Sequence, residues 1–113
     1  MESDRRATTV LRRNVAALEL PGAQVSTADV AVVLRTGSDR SYDVVLADPP
    51  YALDGGTLTE VLSALASGGW LAPQALIVVE RAIRAFPPTW PDGVSALTNR
   101  RYGDTVVYYG CAP

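Results

Sequence analysis

The reading of the chain turns on one stretch, Asp43-Val44-Val45-Leu46-Ala47-Asp48-Pro49-Pro50-Tyr51. Residues 43–47 are almost wholly apolar and rich in valine, the pattern of a strand in the middle of a parallel sheet. Asp48-Pro49-Pro50 ends that strand, because proline has no N–H to give to a ladder. Aspartate and proline favour turns wherever they occur, so a plain structural turn is one use of these residues. Their location adds another: in open α/β sheets ligands collect beyond the carboxyl ends of strands, where residues 48–51 fall.

Downstream, Leu58, Val61, Leu62 and Leu65 keep the helical spacing, and Gly68-Gly69 stops that helix. Ala75 to Glu80 is a second buried strand, which completes one βαβ unit. Turns at Pro87-Pro88 and Pro91-Asp92-Gly93 precede two β-like runs, about 94–101 and 105–110. Joined through Tyr102-Gly103-Asp104, they predict an antiparallel hairpin. Upstream, Ala7, Val10, Leu11, Val15 and Leu18 predict an amphipathic helix over 4–18, ended by Pro21-Gly22, and a short strand follows at about 23–27. Asp29 is placed to cap a short helix running to the Thr36-Gly37-Ser38 loop. The fold class is α/β, a parallel sheet finished by a hairpin.

At 113 residues the chain fits one domain with a modest core. Hydrophobic residues make up 48% and charged residues 19%, as in globular proteins. No apolar run approaches the ~20 residues needed to cross a bilayer, and the first residues carry no signal-peptide pattern, so the expected compartment is the cytoplasm, with no membrane partner. Cys111 is the single cysteine and histidine is absent, which argues against an internal disulfide, a zinc site or histidine-based catalysis. No metal is expected. All ten basic residues are arginine, within a formal charge of −2. That balance gives no general affinity for polyanions, but local charge matters more than the total. Arg5, Arg6, Arg12 and Arg13 recur at a spacing of seven, which suits a nucleic-acid contact as well as a solvated helix face.

The chemistry that suits 48–51 is methylation of an exocyclic base amine. Such an amine is a poor nucleophile, because its lone pair is delocalised into the ring. Acceptors aimed at both N–H bonds hold the nitrogen while it pyramidalises. Asp48 offers a carboxylate and Pro49 a backbone carbonyl, and the two prolines stiffen the loop that carries them. Tyr51 adds an aromatic plane on which an extruded base can stack. No strong general base is needed, since the nitrogen sheds its proton readily once it carries the extra methyl group.

The Asp48-Pro49-Pro50-Tyr51 tetrad resembles the Asp/Asn-Pro-Pro-aromatic motif of class I amino-methyltransferases. The wider set of residues is similar to the bacterial RsmD-type enzymes: Glu2-Ser3-Asp4 before an arginine-rich helix with Asn14, then Gly69-Trp70-Leu71, Val78-Val79-Glu80 and Tyr102-Gly103-Asp104-Thr105. Those enzymes methylate the exocyclic amine of a guanine in 16S ribosomal RNA. The resemblance implies S-adenosylmethionine as cofactor and 16S rRNA or the small-subunit particle as partner. It implies Asp48, Pro49, Pro50 and Tyr51 at the target base. It also places Glu2 at the cofactor ribose, against the alternative of a solvated terminal charge, and opens a cofactor-adenine contact for Asp29 beside its capping role. Glu80 is either a support for the base pocket or a solvated strand end. Tyr102 with Arg100-Arg101 marks either an RNA-facing hairpin or ordinary hairpin packing.

Class I methyltransferases hold the cofactor with a first strand and a Gly-rich loop, and neither occurs here: Gly55-Gly56 follows the tetrad and Gly68-Gly69 ends a helix. The chain therefore reads, over 1–113, as a single partial domain, the C-terminal portion of a Rossmann-like methyltransferase sheet truncated at its N-terminus, with doubtful activity by itself. Other readings are a DNA adenine or cytosine amino-methyltransferase and a non-catalytic α/β remnant. The expected physical consequence is a compact unit over about 43–110, with helix 4–18 and strand 23–27 loosely docked. The strand ending at Asp48 should expose an edge open to self-association.

Overall fold

The computed structural model describes residues 30–38, 40–49 and 55–113. The helix expected over 4–18 and the strand at 23–27 lie outside them. The chain divides into two units, Met1–Val33 and Leu34–Pro113, and the described elements belong to the second apart from residues 30–33. In order they are α1 (Val30–Thr36), β1 (Tyr42–Ala47), α2 (Gly55–Ser67), β2 (Leu71–Ala82), β3 (Ser95–Tyr102) and β4 (Thr105–Cys111). No described helix is long and apolar enough to cross a membrane.

The described strands form one four-stranded sheet in the order β1-β2-β4-β3. β1 and β2 run parallel, with Val45 opposite Ile77 and Ala47 opposite Val79. β2 then pairs antiparallel with β4, and β4 with β3. This is the parallel pair and terminal hairpin that the sequence predicts. The hairpin enters the sheet with its second strand inward, and the residues account for that choice. Val106, Val107 and Gly110 of β4 are buried, whereas all eight residues of β3, Ser-Ala-Leu-Thr-Asn-Arg-Arg-Tyr, are exposed. A polar, arginine-bearing strand is suited to an edge. Gly103, with φ +59°, opens the two-residue turn at the position where such a hairpin needs a left-handed residue.

β2 is the central element and buries alternate positions: Ala75, Ile77, Val79 and Arg81. It is longer than the apolar run 75–80 suggests. At its start, Tyr42 pairs with Leu71, and between there and Val44 opposite Leu76 β1 advances two residues while β2 advances five. That bulge takes up Pro73, which cannot donate, and Gln74, whose φ is +60°. At its end, Arg81 and Ala82 continue the ladder against Val106 and Thr105. α2 turns the stripe Leu58, Leu62 and Leu65 to the interior, as its helical spacing requires.

A turn at Gly68-Gly69-Trp70 ties the first elements of the unit together. Gly69 has φ +77°, the left-handed conformation that ends α2. From this turn the Gly68 carbonyl accepts from the Ser38 N–H at 2.9 Å, and the Trp70 carbonyl from the Tyr42 N–H at 2.8 Å. The buried Trp70 indole donates to the Leu34 carbonyl at 3.1 Å, which also accepts from the Gly37 N–H at the end of α1, and its ring stacks on Tyr42 at 6.2 Å. These bonds explain why the compact unit starts at Leu34 rather than near residue 43.

Two consequences can be measured. A Cβ at Gly110 would meet the Trp90 ring at 2.8–3.0 Å, whereas one at Gly55 meets nothing within 4 Å. Gly110→Ala should therefore lower unfolding stability by about 1–3 kcal/mol, with Gly55→Ala neutral or slightly stabilising, as read by denaturant titration. At the other edge, β1 pairs only with β2 among the described residues, and its Val44 and Leu46 are 53% and 77% exposed. Sedimentation velocity should show association that grows with concentration and is weakened by Leu46→Lys. A monomer at every concentration would mean that this edge is covered.

Candidate active site

Because β1 and β2 are parallel, their carboxyl ends emerge at the same end of the sheet. Ala47 is opposite Val79, so Asp48 leaves β1 level with Glu80 on β2. Both side chains are exposed, and Pro49 is half-buried. Alternation along the strands puts Asp48 on the side of the sheet that carries Val44, Leu46, Val78 and Glu80. The chain re-enters regular structure at Gly55, the first residue of α2.

Asp48, Pro49 and Glu80 thus come together as the described part of the site. Pro50 and Tyr51 of the tetrad lie outside the described residues, and so do Glu2 and Asp29. The helix that Asp29 was expected to cap is present as Val30–Thr36, and it ends at Gly37, with φ +83°, as the sequence predicts. Among the described residues no group of three His, Cys, Asp or Glu side chains is placed to hold a metal ion.

Three features of the unit are not singled out by sequence reading. Arg81 is buried at 3% exposure, on the side opposite Glu80. The alternation Ala75, Ile77, Val79 carried one step further was the signal for it. The main-chain N–H of Ile83 donates to the Asp104 carbonyl at 2.8 Å, which holds the hairpin turn beside the chain leaving β2. Tyr102 and Arg100 therefore sit at the same end of the sheet as Asp48. An open cleft of about 490 Å³ is lined by Leu34 and Arg35 and by one side of α2, including Thr59, Glu60 and Ser63. It includes none of Asp48, Pro49 and Glu80.

Chemically, the groups that the described residues offer beyond β1 and β2 are acceptors: two exposed carboxylates and the carbonyl of a proline. Such a set suits a ligand that brings N–H bonds or positive charge. It does not suit a phosphate at that spot.

Comparison with known proteins gives the family. Residues 1–110 match the family model described as Conserved hypothetical protein 95. The ribosomal RNA small subunit methyltransferase D of Escherichia coli is 33% identical over 91 residues, covering 80% of this chain and 44% of that protein. The chain thus spans less than half the length of this curated relative. Among solved structures, a candidate methyltransferase from Escherichia coli superposes with TM-score 0.82 at 29% identity, covering 98% of this chain and 60% of the other. A candidate methylase from Haemophilus influenzae gives TM-score 0.81 at 25% identity, covering 97% and 68%. The sheet described above is therefore part of a methyltransferase fold.

Exposure makes a claim about Asp48 that stability measurements can check. A carboxylate outside the core should be replaceable, so Asp48→Asn should shift unfolding stability by no more than about 0.5 kcal/mol. A large loss of stability would mark Asp48 as a residue that holds the turn.

Proposed function

The chain belongs to the Conserved hypothetical protein 95 family, the RsmD-type family, and from that premise we propose that it serves S-adenosylmethionine-dependent methylation of a guanine exocyclic amine in small-subunit ribosomal RNA. The observation that carries this reading is the place of Asp48 and Pro49. They stand at the carboxyl end of a parallel strand, level with Glu80, in a sheet shared with methyltransferases, where a carboxylate and a carbonyl would serve as an acceptor pair.

The acceptors at this end fit the cofactor in kind, since carboxylates favour a sulfonium cation and disfavour an anion. On the resemblance, Glu2 would hold the ribose hydroxyls and Asp29 the adenine. When bound, the cofactor supplies a methyl group activated on positively charged sulfur. The chain's own residues do the rest. The Asp48 carboxylate and the Pro49 carbonyl accept the two N–H bonds of the base amine, directing its lone pair at the methyl carbon. The prolines at 49 and 50 fix that geometry before the substrate arrives, so little reorganisation is left for the reaction itself. Transfer of that methyl group would leave positive charge on the amine nitrogen, which the Asp48 carboxylate would stabilise. One amine proton then leaves along the hydrogen bond to Asp48 and passes to water. Tyr51 is placed by the tetrad to stack on the flipped base.

Methyl transfer from labelled cofactor to small-subunit particles tests the proposal. In a chain extended upstream to carry a cofactor-binding Gly-rich loop, Asp48→Ala should lower kcat on the order of 100-fold while leaving cofactor affinity nearly unchanged, because the lost acceptor acts mainly in the transition state. A variant of normal rate removes Asp48 from the mechanism. Transfer to duplex DNA and not to ribosomal RNA would make the protein a DNA amino-methyltransferase. A folded chain that gives no heat of binding with the cofactor would be a non-catalytic module.

A further inference from the structure

We propose that the β3–β4 hairpin and the turn that leaves β2 beside it, with Arg100 and Arg84 as their cations and Tyr102 as the aromatic, form a docking surface for the RNA strand that flanks the target nucleotide. The proposal rests on the reading of the Asp48 site as one that acts on RNA, and it names where that RNA runs beyond the site.

The first observation is that β3 lies open to solvent. Every one of its residues is exposed, Tyr102 at 57%, so its arginine and tyrosine side chains present surface that hairpin packing leaves uncovered. Phe86, in the chain just beyond β2, is 82% exposed. Large aromatics kept in solvent at the end of a sheet are suited to stacking on bases, a contact that every base can make.

The second is charge. Among the described residues the Arg84 and Arg100 side chains make no hydrogen bond or ion pair, so their charge is available to a partner. The Arg101 Nε donates to the Gly103 carbonyl at 2.9 Å, which holds that side chain against the turn. Asp104 is the one carboxylate in the turn. Guanidinium groups left unneutralised on a protein of net charge −2 are local features, and planar forks of this kind match phosphate oxygens.

The third is register, and it joins the hairpin to the site. Glu80 is opposite Val107, and Val107 is opposite Arg100. Asp48 emerges level with Glu80, so Asp48 and Arg100 share one row and one side of the sheet, three strand spacings apart. At about 4.8 Å per spacing that is roughly 14 Å between backbones, close enough for nucleotides adjacent to the flipped base. Two residues nearer the turn, Tyr102 is opposite Thr105, itself opposite Ala82, and Arg84 follows Ile83, which is bonded to Asp104. The cations and the ring thus lie beyond Asp48 in a single direction, as a strand of RNA leaving the site would require. Acceptors at the target amine and cations along the flanking phosphates are complementary parts of one RNA-binding track.

Binding to 16S ribosomal RNA and to a mixed-sequence single-stranded RNA oligonucleotide, measured across a range of salt, tests this. For single strands each lost phosphate contact lowers the slope of log K against log salt by about 0.7, so Arg84→Gln with Arg100→Gln should lower it by about 1.4. The double lysine variant should keep the wild-type slope, because the charges remain. Tyr102→Ala should weaken binding about fivefold or more with the slope unchanged. All of these positions are exposed, and circular dichroism with thermal unfolding should match wild type. A glutamine variant with the wild-type slope overturns the hairpin surface while leaving the RNA reading of the Asp48 site intact. A wild-type protein that binds neither RNA overturns both.

Discussion

Everything described in this unit depends on β2 having a full neighbour on each side. It pairs parallel with β1 and antiparallel with β4, and its alternate side chains Ala75, Ile77, Val79 and Arg81 are out of solvent. A strand of this kind satisfies its backbone polar groups on both edges, which is what allows its apolar side chains to be buried at all. The parallel half fixes where the carboxyl end of β1 emerges. The antiparallel half brings the hairpin turn to that same end. A slip of one residue in either ladder would move Asp48 or Arg100 to the other side of the sheet, so the positions of the chemically interesting residues follow from burial of β2.

The Gly68-Gly69-Trp70 turn protects that arrangement at the opposite end. It accepts main-chain hydrogen bonds from Ser38 and Tyr42, and its indole reaches the Leu34 carbonyl. A Cβ at Gly68 would come within 2.9 Å of the Leu34 and Ala64 carbonyl oxygens and 2.8 Å of the Trp70 ring, so the close approach of these segments requires glycine. The structural burden thus sits at the amino end of β1, while the exposed acceptors and cations sit at the carboxyl end. Separation of this kind leaves the exposed Asp48, Glu80 and Arg100 side chains with few packing constraints.

Much of this was legible in the residues. The apolar runs 43–47 and 75–80, the leucine spacing at 58, 62 and 65, and the glycines at 68–69 and 103 each match an observed element. Periodicity and turn chemistry are local properties, set by neighbours in the chain. The start of β2 was not legible, because Pro73 and Gln74 argue against a strand and are accommodated only by a bulge opposite β1. The burial of Arg81 ran against its charge. The prominence of the hairpin was undecided, since Arg100 and Tyr102 suit either packing or a partner until their exposure is known.

By itself, then, the sequence determined the described βαβ unit, the terminal hairpin and the place of Asp48-Pro49 at a strand end. Those depend on side-chain type, period and the conformational limits of glycine and proline. Only the tertiary structure decided that β4 rather than β3 lies against β2, that Glu80 stands level with Asp48, and that Arg100 shares their row. Those facts depend on strand order and register. They are settled by which of several similar apolar surfaces bury one another best, a comparison between residues far apart in the chain that no local pattern records.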